Sequence, residues 1–178
     1  MIFKEDRFKQ DETDYWLLSS IFSEKPVYIK INAGTRKRTV TFLSTNEDNM
    51  QGHKKTYNSP ITYLIKDIIV DIDSTGIEVE DASFDIIPFN NIDSSFGIDK
   101  EIYNRIPFEA VKAFYYLKKK TKVVIYIAGN EDGSSKYFGG FVSGKITSLD
   151  KGGISLRSNN VDMTIPFDSI ISIDVQEV

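Results

Sequence analysis

Asp71-Ile-Asp-Ser-Thr-Gly-Ile-Glu-Val79, followed by Ile87-Pro-Phe-Asn-Asn-Ile92, is a pattern that this chain contains twice. It returns as Ser148-Leu-Asp-Lys-Gly-Gly-Ile-Ser-Leu156, followed by Ile165-Pro-Phe-Asp-Ser-Ile170. Corresponding residues lie 77 positions apart in the first block and 78 positions apart in the second. A repeated block of this kind is one structural unit used twice.

The repeat extends towards the N-terminus. The alternating segment Val27–Ile31 matches Val123–Ile127 at a spacing of 96 positions. The change from 96 to 77 means that the first unit carries 19 extra residues, within about residues 32–65. We therefore predict two units, 1–97 with an inserted loop and 98–178 without one.

The sequence pattern of each unit predicts a short helix followed by about five short strands. Asp11 or Thr13 is expected to cap a helix that runs to Glu24, and Pro107 is expected in the first turn of a second helix. Glycines at 139, 140 and 144 interrupt a predicted strand, which is typical of strongly coiled sheets. The predicted fold class is mainly β with short helices, as two tandem Sm-like or SH3-like small β-barrels, each preceded by a helix.

Composition limits the class of protein. The 178 residues are 40% hydrophobic and 27% charged, which is ordinary for a globular protein. No apolar run reaches the roughly 18 residues of a membrane span, and the N-terminus lacks a signal-peptide core. The chain has no cysteine, which excludes disulfides and thiolate metal sites. A cytoplasmic protein without membrane contact is expected, and the net charge of −4 argues against nucleic-acid binding through bulk charge.

The second unit resembles the C-terminal half of YolD-like proteins, through Val123–Ile127, Gly144–Asp150, Ile154–Leu156 and Ile165–Ile173. These are small bacterial and phage proteins thought to regulate translesion polymerases, so the resemblance implies a protein partner. The same features are similar to those of Sm-like barrels, most of which bind RNA as rings. The Sm nucleotide pocket needs an Asn after the turn aspartate and an Arg-Gly pair, and neither motif is present. RNA binding by the Sm mechanism is therefore not expected.

The inserted region holds the candidate binding residues. Its polar part, Ser44–Pro60, is expected to form a long loop or a pair of distorted strands. Basic and aromatic groups occurring together favour phosphate contact and base stacking. These candidates for binding a partner or nucleic acid are Arg36, Lys37, Arg38, His53, Lys54, Lys55 and Tyr57. The alternative is a solvated hairpin tip and, for His53, a solvated loop residue.

Acidic pairs are the remaining candidates for chemistry. Alternation in a strand places Asp71 and Asp73 on one face, and likewise Glu78 and Glu80, where they could bind Mg²⁺. The alternative is a solvated outer face. His53 is the single histidine, and no residue is predicted to be catalytic, to ligate a metal or to bind a cofactor.

Three functional hypotheses follow. The first is a non-enzymatic regulator or inhibitor that binds a protein of a nucleic-acid-handling machine and is encoded by a phage or mobile element. The second is an RNA- or DNA-binding module that uses the basic insertion. The third is a metal-dependent nuclease that uses Asp71, Asp73 and His53. The sequence does not determine the oligomeric state.

Overall fold

The structure is a computed structural model that describes residues 12–43, 52–98, 106–128 and 140–176. The first part contains helix α1 and strands β1 to β6, at Glu12–Ser23, Val27–Leu43, Gly52–Asp67, Ile69–Asp73, Gly76–Val79, Ile87–Pro88 and Ile92–Phe96. The second part contains helix α2 and strands β7 to β11, at Phe108–Lys119, Lys122–Ile127, Gly140–Asp150, Gly153–Ser158, Val161–Pro166 and Ile170–Val175. One short 3-10 helix follows β5 at Phe89–Asn91, and another follows β10 at Phe167–Ser169.

The fold is mainly β with two helices, as predicted. One sheet has the order β2-β1-β6, and the other has the order β10-β9-β8-β3-β4-β5, with β7 joining β8 to β11. Both sheets are open within the described residues, and neither closes into the predicted barrel.

The same order of elements occurs in both halves. In the second half, neighbouring strands follow the order β10-β9-β8-β7-β11. In the first half the order is β5-β4-β3 and then β2-β1-β6, with Ile68 alone separating β2 from β3. Strand β6 is the last of the strands expected in the first unit. Its residues Asp93–Ser95 are polar and give little strand signal, although Ser95 is buried.

The repeated Asp-x-x-Gly turn has a local physical basis. The Oδ1 atom of Asp73 accepts hydrogen bonds from the backbone N–H groups of Thr75 and Gly76, at 2.7 and 3.0 Å. A Cβ atom at Gly76 would lie 2.0 Å from the carbonyl oxygen of Ile87, so this position requires glycine. Asp150 and Gly153 repeat the arrangement in the second half. The turn therefore stabilises a tight approach of neighbouring strands.

The two halves meet through equivalent strands. Ile72 in β3 pairs antiparallel with Leu149 in β8, and Asp73 pairs with Ser148. Ile72 and Leu149 are equivalent in the repeat, being 77 positions apart. The halves are therefore related by an approximate twofold axis that passes through this pair.

Reciprocal aromatic contacts follow the same symmetry. Phe22 of α1 packs edge-to-face on Phe167 of the second half, with ring centroids 5.4 Å apart. Phe89 of the first half packs edge-to-face on Phe114 of α2, at 5.8 Å. The phenylalanine of each Ile-Pro-Phe motif thus contacts the helix of the other half.

A single cluster of buried apolar side chains contains residues of both halves. Helix α1 buries Trp16, Leu17, Leu18 and Ile21. In α2, Tyr116 is buried and Tyr115 is half-buried. The proposed boundary between residues 97 and 98 stays a prediction.

The cap predicted at Asp11 lies outside the described residues. The second helix begins one residue later than predicted, because Pro107 takes the N-cap position.

Candidate functional site

The insertion of the first half is a two-stranded ribbon. Strand β1 pairs with β2 without a break in direction, from Val27 opposite Asp67 to Leu43 opposite Gly52. The third strand, β6, covers β1 only between Tyr28 and Ile31. Of residues 44–60, which were expected to form a long loop or a pair of distorted strands, the described part 52–60 is one strand that pairs with β1. We call residues 33–43 and 52–60 the arm; at about 3.3 Å per residue, its first strand is about 35 Å long.

A β-bulge marks the base of the arm. The register shifts between Asn32 and Thr35, and Gly34 between them has φ +102°. The side chain of Asn32 accepts a hydrogen bond from the Gly34 N–H at 2.9 Å. Bulges bend a strand and change the direction of the residues beyond it. The bulge therefore fixes how the arm leaves the body.

The arm contributes little to the core. Each arm residue whose side chain is described is exposed, apart from the half-buried Ser59. An isolated two-stranded ribbon is marginally stable in water and gains little from burial. The second half has the same order of elements without these extra residues. Folding of the body does not account for the arm, which makes it the best candidate for a functional site.

The predicted binding residues divide between the two faces of the arm. Directly opposed residues in a ladder share a face, and alternate residues along a strand do too. The arginine face carries Arg36, Arg38, Lys55, Tyr57 and His53. In this set Arg38 lies opposite Tyr57, and the Nζ atom of Lys55 lies 5.8 Å from the centroid of the Tyr57 ring.

The opposite face, which we call the threonine face, carries Lys37 and Lys54. It also holds a row of threonines, and the Oγ1 atoms of Thr39 and Thr56 lie 3.4 Å apart across the strands. All seven predicted binding residues are therefore on the arm, with five on one face and two on the other.

The charge of the arm differs from that of the body. Residues 33–60 contain five Lys or Arg and two acidic residues, a net +3 in a chain of net −4, which leaves −7 for the rest. Both acidic residues, Glu47 and Asp48, lie outside the described residues. Within the described arm there is no carboxylate, so the five cations face solvent without an acidic neighbour on the same strands.

The acidic pair Asp71 and Asp73 is far from His53. His53 lies near the distal end of β2, about 45 Å of strand from Asp67 at the proximal end. The carboxylate of Asp73 is already bonded to Thr75 and Gly76 in its turn. Burial raises the pKa of Asp73, but these hydrogen bonds outweigh burial and lower it. The structure does not bring the three residues of the nuclease hypothesis together.

Asp71 lies where the two halves meet. Its pKa is raised to about 6, first by burial and then by the negative charges of Asp150, Asp73 and Glu78. Asp150 belongs to the second half, so the pairing of β3 with β8 brings carboxylates of both halves together. In the described residues, no group of three or more His, Asp or Glu has an arrangement that could hold a metal ion.

Sequence reasoning missed a second exposed feature at the base of the arm. Tyr28 in β1 and Phe96 in β6 lie opposite each other on the solvent face of the sheet. The alternation of Val27–Ile31 already placed Tyr28 on the outward side. Its partner could not be identified, because the bounds of the last strand of the first unit were not predicted.

No protein-family model, curated protein or solved structure matches this chain. The similarity to YolD-like proteins therefore remains a prediction. Among the helices of the described residues, none is both long and apolar enough to cross a membrane.

Proposed function

We propose that this protein binds nucleic acid through the arm, with the arm cations contacting the phosphate backbone. The observation that supports the proposal is a projecting ribbon that exposes five Lys and Arg on its two faces and has no carboxylate among its described residues. Contacts between cations and phosphates supply most of the sequence-independent affinity for nucleic acid.

The distribution of charge favours binding at the arm over the body. The body carries an excess of acidic residues and repels a polyanion, so the nucleic acid is attracted to the arm. An arm of about 35 Å spans on the order of ten base pairs of a duplex at about 3.4 Å each. Cations on both faces suit a backbone that passes along or around a thin ribbon, and they read no base sequence.

Salt dependence of binding tests the proposal. Fluorescence anisotropy of a labelled oligonucleotide should give an affinity that falls steeply as salt rises from about 50 to 200 mM. Replacing Arg36, Arg38, Lys54 and Lys55 with Gln should weaken binding strongly. The salt dependence should become weaker. The magnitude of the slope of log K against log salt should decrease by about 3, since each of the four neutralised contacts contributes about 0.7 on a single strand.

A matched control removes the same charge from the second half. The control variant replaces Lys119, Lys122, Lys145 and Arg157 with Gln, and we expect it to retain most of the affinity. Equal losses in both variants would show that net charge matters and the arm does not. A further variant joins Asn32 to Thr62, which lie opposite each other, through Asn-Gly. It should unfold in urea with nearly the same free energy as the parent and bind no oligonucleotide.

A protein-binding role is the second candidate, in the form of a regulator or inhibitor of a nucleic-acid-handling machine. Exposed apolar side chains on the second half favour it: Tyr126, Phe141 and Ile171 are 43, 67 and 62% exposed. Aromatic residues are enriched at protein interfaces. This role predicts a stoichiometric partner that survives nuclease treatment and is lost when Tyr126 and Phe141 are replaced with Thr.

The tandem Sm-like or SH3-like arrangement is also a proposal. It is supported by the repeated order of five strands and by the 3-10 helix before the last strand of each half. An experimental structure in which the fourth and fifth strands of a half, the two edges of its strand order, lie far apart would contradict it.

A further inference from the structure

Three side chains form a row across the solvent face of the sheet at the base of the arm. Phe96, Tyr28 and Lys66 belong to the adjacent strands β6, β1 and β2, and Tyr28 lies opposite both of the others. The rings of Tyr28 and Phe96 are nearly parallel, with centroids 5.1 Å apart and an interplanar angle of 15°. The Nζ atom of Lys66 lies 5.4 Å from the centroid of the Tyr28 ring. We call these three residues the aromatic row.

Within the described residues, the stack is open at one end. Tyr28 has Phe96 on one side and the Lys66 ammonium on the other. Phe96 lies on β6, the edge strand of the described three-stranded sheet, and is 43% exposed. A further planar group can therefore extend the stack from the Phe96 end.

The second half shows that the fold does not require this row. The pair equivalent to Tyr28 and Phe96 is Val124 opposite Asp174, and Ser143 takes the place of Lys66. Strand pairing is the same at both places. A half-buried tyrosine, an exposed phenylalanine and a cation thus replace a small apolar residue, a carboxylate and a hydroxyl, and packing alone does not explain the exchange.

The aromatic row lies on the same side of the ribbon as the threonine face of the arm. Along β2, the alternate residues Lys66, Leu64, Thr62 and Pro60 lead from the row to Asn58 and Lys54. Lys30, two residues after Tyr28 on the same face, has its Nζ atom 3.5 Å from the Oδ2 atom of Asp93. A nucleic-acid strand whose phosphates contact Lys54 and Lys37 on this face would therefore continue along it to the aromatic row.

We propose that the aromatic row stacks bases of a single-stranded nucleic acid whose backbone is held by the arm. This rests on the proposed function and names its substrate class. Single-strand binders combine cations that follow the backbone with aromatic rings that stack on bases of any sequence. A duplex keeps its bases stacked within the helix, so it offers the row no free base face.

The test compares single and double strands. The wild-type chain is titrated with labelled oligothymidylate, oligouridylate and a blunt duplex, each of about 20 nucleotides or base pairs, long enough to reach from the arm to the row. The variant is Tyr28→Val with Phe96→Thr, which keeps β-forming residues and takes Val from the equivalent position of the second half. We expect single-strand affinity to fall about tenfold, within the range for loss of base stacking. Duplex affinity should change less than about twofold, and the salt slope should stay the same.

A matched aromatic variant controls for the loss of exposed rings in general. Tyr126 and Phe141 also lie opposite each other on a solvent face, with centroids 6.1 Å apart. Replacing both with Thr should leave oligonucleotide binding unchanged. Equal losses in the two aromatic variants, or a loss confined to the Tyr126 and Phe141 variant, would overturn the assignment to Tyr28 and Phe96.

The outcomes separate this inference from the proposed function. If the wild-type chain binds single strand and duplex equally and the Tyr28 and Phe96 variant binds as well as wild type, the row is not a base-stacking site, but the arm proposal stands. If the wild-type chain binds none of the three probes, both proposals fail.

A difference between oligothymidylate and oligouridylate distinguishes DNA from RNA as the ligand. Urea unfolding followed by Trp16 fluorescence checks that each variant is folded before it is titrated.

Discussion

Replacing Asp71 with Asn should stabilise the protein at neutral pH and have no effect in acid. The folded protein holds the pKa of Asp71 at about 6, above the ordinary value of 3.8, because of burial and the carboxylates of Asp150, Asp73 and Glu78. Between these two pH values the folded chain retains a proton that the unfolded chain has released. The contribution of Asp71 to stability therefore falls as pH rises from about 4 to about 6. Above pH 6, ionised Asp71 lowers the free energy of unfolding by its full amount.

The size of the effect follows from the shift. A difference of about two pKa units corresponds to about 3 kcal/mol at 1.36 kcal/mol per unit. Asp71 is only half-buried, so solvent screens its neighbours and reduces this figure. We expect the Asn variant to be more stable than wild type by about 1 kcal/mol at pH 7.5 and equal to it near pH 4.

Urea unfolding across this pH range measures the difference. The chain has one tryptophan, Trp16, which is 4% exposed and reports loss of the core by fluorescence. Asp162→Asn makes the same chemical change at an exposed position of β10 and should alter stability by less than about 0.5 kcal/mol. A variant of Asp71 that is less stable than wild type at pH 7.5, or a stability gain that does not depend on pH, would refute the reasoning.

Two further predictions concern the repeated motifs. Gly76→Ala and Gly153→Ala each place a Cβ atom within 2.2 Å of a carbonyl oxygen of the next strand, so each should lower the free energy of unfolding by about 2 kcal/mol or more. Gly152→Ala, whose Cβ would meet only the Asp150 side chain at 3.3 Å, should change it much less, and a similar loss there would exclude the steric explanation. In a double-mutant cycle, Phe22→Leu and Phe167→Leu should show a coupling energy of about 1 kcal/mol, reflecting their edge-to-face contact. Additive effects in urea unfolding would mean that this contact does not help to join the halves.

The repeat predicted the body well, because its residues act locally. The aspartate and glycine of each turn are needed by the turn itself, so their spacing located β3, β4, β8 and β9. The repeat predicted a last strand in each unit but not the bounds of β6, because Asp93–Ser95 lacks apolar alternation, and the pairing of β6 with β1 depends on tertiary structure. Closure of the sheets into barrels depends on contacts between distant strands, and the local pattern did not determine it.

The candidate site was predicted in composition but not in arrangement. The seven basic and aromatic residues of the insertion were identified together, and the structure places all of them on the arm. Their division between two faces depends on the register that sets Arg38 opposite Tyr57, and no local signal fixes that register. The aromatic row needs a partner from β6, about 70 residues away from Tyr28, so only the pairing of strands reveals it.

The approximate twofold axis through Ile72 and Leu149 has a consequence for an insertion. In a homodimer of identical halves joined by this strand pairing, any insertion would occur twice and project in opposite directions. Covalent linkage of two halves in one polypeptide allows one half to diverge while the other keeps the simple form. The molecule thus gains polarity from a nearly symmetric core, because the described residues of one half carry a projecting ribbon that those of the other half lack.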